Sequence, residues 1–297
     1  MDNYSRMSGS VPAAYRHCNT LAQQHYENFP VASWLLPASL REPIAAIYAF
    51  ARQADDYADE GDLDTVTRLN KLDECDHLLQ ALAADNIPDD PVYIALHDTI
   101  RRFELPLVLF HDLVSAFRQD VTTHRYNSFV EVLDYCRRSA NPVGRLLLHL
   151  AGVASEQNCR LSDKVCSALQ LINFYQDIEQ DYEENDRIYL ALDEMQAAGI
   201  GEQHIAQKIS DPAMRTFMQQ QYRRAGQMLC EGMPLTKHLG LRLGLEIRAT
   251  IHGGLRIIEH LMQAENVFAR PRLRKSDGLL IIARTVFAGR ACSQFDS

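Results

Sequence analysis

Two groups of acidic residues have a spacing that suits cation binding. The segment Ala51-Arg-Gln-Ala-Asp-Asp-Tyr-Ala-Asp-Glu60 carries Asp55 and Asp59 four residues apart. On a helix this spacing stacks two side chains on one face, about 6 Å apart along the axis. The apolar row Ile44, Ile47, Tyr48 and Ala51 leads into them, so the carboxylates continue a stripe that should face the interior. Two such groups repel each other and resist desolvation. A bound cation removes both costs. Oxygen-only ligands at this spacing suit Mg²⁺, which keeps some of its waters and shares phosphate oxygens. Read alone, the segment is equally a solvated helix end, with Glu60, Asp62 and Asp64 extending the acid run.

A second row changes that balance. Helical periodicity over about 161–182 places Leu169, Asn173, Asp177 and Asp181 at successive four-residue steps. Leu169 starts the row on the apolar side, and an amide and two carboxylates extend it. Two acidic rows on separate long helices predict facing helices that hold Mg²⁺ and a diphosphate between them. Di-iron bundles also use inward carboxylates, but they need Glu-x-x-His pairs, which neither row supplies. Arg52 precedes Asp55 by about one turn and could face a departing diphosphate. Arg137, Arg138 and Arg187 are further candidates, because guanidinium matches phosphate geometry; taken singly, each reads equally as a surface arginine. Tyr135 lies in Asp134-Tyr-Cys-Arg-Arg-Ser-Ala-Asn-Pro-Val-Gly144, where spacing alone does not separate a catalytic tyrosine from a core one.

The elements that must position these residues read as helices. Periodicity predicts them over about 12–28, 40–59, 63–84, 90–104, 107–119, 128–138, 142–154, 161–182, 211–232, 239–264 and 275–289. Stops fall at Pro37, Asn86-Ile87-Pro88, Asn141-Pro142 and Gly199-Ile200-Gly201. No stretch alternates at period two for long enough to suggest a sheet. One all-α domain over 1–297, a helical bundle, is the simplest account.

Bulk properties narrow the function. The net charge of −9 argues against a nucleic-acid partner, which needs a basic face. Seven cysteines without a CxxC pair, and no HExxH among eleven histidines, point to reduced thiols in a cytoplasmic setting rather than a zinc site. The N-terminal residues have no apolar signal core. No apolar run approaches the roughly 20 residues of a membrane span. A lipid substrate would therefore have to be collected by peripheral contact at a membrane. The run Phe268-Ala-Arg-Pro-Arg-Leu-Arg-Lys275 gathers four cations in an acidic chain, suited to an anionic membrane or a diphosphate, or to a solvated loop.

Asp55-Asp-x-x-Asp59 together with Asp177-x-x-x-Asp181 resembles the paired aspartate motifs of the squalene/phytoene synthase family. The resemblance spans about Cys18 to Lys275. The segments YAFARQADDYADEGD, DYCRRSANPVGRLLLH, ALQLINFYQDIEQD and DRIYL look most like the hydroxysqualene-forming branch. The resemblance implies an isoprenoid synthase-type fold around a central apolar cavity. It implies Mg²⁺ held by Asp55, Asp59, Asn173, Asp177 and Asp181, a diphosphate-facing Arg52 and an active-site Tyr135. It further implies ionisation of presqualene diphosphate, with water captured to give hydroxysqualene; a condensing squalene or phytoene synthase is the alternative. Condensing relatives tend to carry small hydroxyl residues in an entrance segment where this chain has Tyr26 and Asn28 within His25-Tyr-Glu-Asn-Phe-Pro30. That difference favours a site for one diphosphate. Further differences are Tyr175 where Trp is expected, Ala191 where Pro is usual and Asp186 where Gly is usual.

Overall fold

The computed structural model describes residues 11–24, 37–59, 61–287, 292 and 295. Fourteen α-helices and one two-stranded sheet are found among them, so the fold is all-α as the periodicity predicts. Tyr26 and Asn28 lie outside the described residues. The chain divides into two compact units, residues 1–122 with 142–154, and residues 123–141 with 155–297.

The first unit contains α1 (Val11–Gln24), α2 (Ala38–Asp59), α3 (Thr65–Ala83), α4 (Pro91–Phe103) and α5 (Leu107–Thr122), with most of α7 (Asn141–Leu150). Helix α2 packs against α1, α3, α4 and α5. Its fully buried small residues Ala45, Ala46 and Ala54 let neighbours approach closely. Phe50 fills the centre, edge-on to Tyr93 at 5.9 Å and Phe110 at 5.6 Å, a favoured aromatic geometry. Aspartate caps define two helix starts: Asp64 accepts from the Thr67 amide and Asp90 from the Val92 amide, with Pro91 at the first helical position.

The second unit is built on α8 (Glu156–Gln176), which lies along α12 (Pro212–Gly232). Helix α13 (Leu241–Gln263) packs on both, and α14 (Lys275–Phe287) packs on α13. Helix α6 (Phe129–Ser139) also joins α8, and α9 (Ile178–Asn185), α10 (Leu192–Ala197) and α11 (Glu202–Ala206) complete the unit. A 3₁₀ turn at Met233–Lys237 links α12 to α13.

Three findings differ from the sequence reading. The helix expected over 161–182 is two helices, α8 and α9, divided at Asp177, whose φ −108° and ψ 15° leave the helical region. A parallel pair, β1 (Arg125–Tyr126) with β2 (Ile188–Ala191), stands where no strand was expected. All four residues of β2 are buried, so the segment has no polar–apolar alternation to betray it. Finally, Cys230 and Cys292 form a disulfide, although the sequence suggested reduced thiols. Cys18, Cys75 and Cys136 are buried thiols. No described helix is long and apolar enough to cross a membrane.

Candidate active site

In the first unit, α2 carries Asp55 on its penultimate turn and Asp59 as its last residue. The Asp55 side chain keeps 40% of its surface open to solvent, yet surrounding protein disfavours its charge. Burial, followed by the neighbouring Asp59, pushes its carboxyl up to about 7. Arg52 opposes this shift, lying 3.6 Å from an Asp55 oxygen, but its shorter ion pair is to Asp56, at 2.6 Å. Asp120 on α5 is almost fully buried and adds to the negative field on Asp55. The sequence reading missed it. Its signal was the same as that of Asp55: the buried row Leu109, Leu113, Ala116 on α5 ends in a carboxylate at Asp120.

In the second unit, Asn173, Asp177 and Asp181 remain linked across the helix break. The Asp177 amide donates to the Asn173 carbonyl at 3.0 Å, and the Asp181 amide to the Asp177 carbonyl at 2.8 Å. The row does not continue a packed stripe as expected. Asn173 is exposed and Leu169, Asp177 and Asp181 are half-buried, whereas Ala168, Leu171, Ile172 and Tyr175 face the core. The amide and carboxylates therefore form a solvent-reached edge. Asp177 is raised by burial and drawn down by Arg270, which donates to its Oδ2 at 3.0 Å. Arg272 also stabilises the Asp177 charge. Two of the four cations in the 268–275 run thus serve the acidic row, a pairing across 93 residues of sequence.

Tyr135 is buried in an aromatic cluster with Tyr126, Phe174 and Tyr189. Phe174 and Tyr189 stack with centroids 3.8 Å apart. The β1–β2 pair brings Tyr126 and Tyr189 together, and α6 and α8 supply the other two rings. The short strands therefore help to assemble rings from four segments.

The remaining arginine candidates separate. Arg137 and Arg138, in the last turn of α6, each bond Asp134 at 3.0 Å, where cations also suit the helix C-terminus. Arg187 is buried, and its amide donates to the Asp181 carbonyl at 3.0 Å, so it lies against the second row. Asp186 before it has φ 51°. A left-handed helix cap favours glycine and tolerates aspartate, which accounts for the substitution. Arg125 braces this cap, donating to the Asp186 carboxylate at 2.7 Å and forking onto Glu202. Ala191 has φ −70°, already the angle proline would impose.

Both rows offer oxygen ligands alone, and Asp55 in particular bears a charge that protein and neighbouring carboxylates disfavour. A divalent cation would relieve that. Among the described residues no three acid, histidine or cysteine side chains converge as a ready-made cage. A cation held here would complete its shell with water or phosphate oxygens, a mode suited to Mg²⁺.

The all-α fold is of the isoprenoid synthase type. The squalene synthase HpnC from Alicyclobacillus acidocaldarius has this fold with a TM-score of 0.80 and 33% identity, covering 87% of this chain and 98% of that one. The sequence matches the squalene/phytoene synthase family over residues 22–277. A hydroxysqualene synthase from Rhodopseudomonas palustris is 36% identical over 249 residues, 84% of each chain. A phytoene synthase from Mycobacterium tuberculosis is 35% identical over 192 residues, 64% of this chain and 61% of that one. The chain belongs to the squalene/phytoene synthase family, whose members act on prenyl diphosphates.

Proposed function

We propose that this protein ionises presqualene diphosphate and directs water onto the resulting cation, releasing hydroxysqualene and diphosphate. The observation that carries the ionisation step is the placement of Asp55 and Asp59 one turn apart at the end of α2, where burial and neighbouring carboxylates disfavour the Asp55 charge. Asp55, Asp59, Asn173, Asp177 and Asp181 are the proposed metal ligands. Mg²⁺ bound to them would supply positive charge to the leaving diphosphate oxygens.

The chain's own contributions follow from its side chains. Arg52 and Arg270 bring guanidinium charge to the acidic rows, and with Arg187 would steady the departing diphosphate. Arg137 and Arg138 are secondary candidates, because Asp134 already engages both. The rings of Tyr126, Tyr135, Phe174 and Tyr189 form a π-rich cluster, and aromatic π density beside the reacting carbon would attract a carbocation without trapping it as a base would. Tyr135 also carries a hydroxyl suited to orienting water. Tyr26 and Asn28, where condensing relatives tend to carry small hydroxyl residues, are the residues proposed to restrict the reaction to one diphosphate. Water capture rather than condensation is supported by the hydroxysqualene synthase relative, which is 36% identical over 84% of this chain.

The test supplies purified protein and Mg²⁺ with presqualene diphosphate or farnesyl diphosphate, each with and without NADPH. The expected result is hydroxysqualene from presqualene diphosphate without NADPH, with little conversion of farnesyl diphosphate. Efficient head-to-head condensation of farnesyl diphosphate would favour the condensing alternative.

A further inference from the structure

Helix α14 is turned inside out. Its inward side carries Asp277, 2% exposed, and Thr285, 6% exposed. Its outward side carries Leu279, Ile282, Val286 and Phe287, which are 74%, 62%, 59% and 80% exposed. The spacing 279, 282, 286 is that of one helical face, so this is a continuous apolar stripe directed away from the protein.

Polar bonds fix that orientation. Asp277 accepts from Arg256 Nε at 2.7 Å and from the Arg274 amide at 2.7 Å, and lies 3.1 Å from His260 Nε2. Arg284 donates to Glu259 at 2.7 Å, and Arg248 to the Thr285 carbonyl at 3.2 Å. Rotating the helix to bury its apolar face would break every one of these contacts. A charged network thus holds an apolar face in water, which calls for a non-aqueous partner.

We propose that the outer face of α14 docks this protein onto an anionic lipid surface. Arg274 and Lys275, both exposed, stand where the helix begins. They are cations at one edge of an apolar stripe in a chain of net charge −9, an arrangement complementary to lipid headgroups with acyl chains beneath them. Thirteen residues span about 20 Å as a helix, too short to cross a bilayer but suited to lying in its interface. Choosing lipid over a second copy of the chain rests on the proposed lipid diphosphate substrate. The family match ends at residue 277, so most of α14 lies beyond the matched region.

The test sediments the full-length protein with vesicles of phosphatidylcholine alone or mixed equally with phosphatidylglycerol. The wild type should partition onto the mixed vesicles. Ile282→Ser with Phe287→Ser should lower the partition coefficient by at least about ten-fold. Arg274→Gln with Lys275→Gln should lower it about five-fold per charge at low salt and remove the preference for the anionic lipid. Because all four side chains point outward, circular dichroism and turnover of detergent-dispersed substrate should match the wild type. Vesicle binding uses no substrate, so it stands or falls separately from the reaction. Partition unaffected by the serine pair would overturn the proposal. So would a wild-type dimer that the serine pair dissociates, since that outcome assigns the face to a second copy.

Discussion

At the scale of single residues, Asp55 bears most of the account. It was legible because helical spacing carries an apolar row into it, and a carboxylate in that place needs a reason. Asp120 offered the same signal on α5 and was missed, because one carboxylate without a partner four residues away does not draw the eye. Arg270 was not legible as a partner of Asp177, since local spacing says nothing about a contact 93 residues distant. Asp55→Asn keeps the shape and removes the charge. It should lower turnover by about 10²–10³-fold, as loss of one electrostatic stabiliser does elsewhere. The fold should persist, with a melting temperature in metal-free buffer equal to or above that of the wild type, because an unfavourable charge has gone. Turnover within a few-fold of wild type at saturating Mg²⁺ would remove Asp55 from the ligand set.

At the scale of elements, long helices were readable and short ones were not. Helices α12 and α13 matched their periodic patterns to within a few residues, whereas α10 and α11 have six and five residues, too few for a period to show. The division at Asp177 was hidden because the polar row Asn173, Asp177 and Asp181 keeps its four-residue step through it. Close packing of α12 on α8 depends on Gly232, where an added Cβ would lie 2.9 Å from the Leu161 carbonyl oxygen and 2.5 Å from a Val165 methyl. The methyl can turn away but the carbonyl cannot. Gly232→Ala should therefore cost about 1–3 kcal/mol, seen as a lower urea midpoint with an unchanged slope; an unaltered midpoint would mean that the helices slide apart freely.

Helix α14 gives a pH-dependent expectation. The Arg274 amide, then Arg256 and His260, hold the Asp277 carboxyl well below the usual carboxylate range. A depressed native pKa contributes stability that is complete above the ordinary value of about 4 and declines as pH falls below it. Hydrogen exchange of the α14 amides should therefore be faster in Asp277→Asn than in the wild type by a constant factor between about pH 5 and 7, and the two should converge under more acidic conditions. A difference that instead widened on acidification would give Asp277 the opposite sign.

At the scale of the whole molecule, helical periodicity and low proline and glycine content already gave the all-α class. The division into two compact units and the Cys230–Cys292 link were not legible, since both arise from long-range contacts rather than local pattern. The proposed reaction should stop with EDTA and return with Mg²⁺, while far-ultraviolet circular dichroism stays constant because no three acid, histidine or cysteine side chains converge as a metal cage among the described residues; loss of helicity on chelation would instead make the metal structural. Ionisation requires that the carbon–oxygen bond to diphosphate break and that water attack carbon. Turnover of presqualene diphosphate in H₂¹⁸O, followed by mass spectrometry of both products, tests it most directly. Ionisation should leave one ¹⁸O in the hydroxysqualene and none in the released diphosphate. Label in the phosphate product with an unlabelled alcohol would show attack at phosphorus, and would contradict the ionisation mechanism.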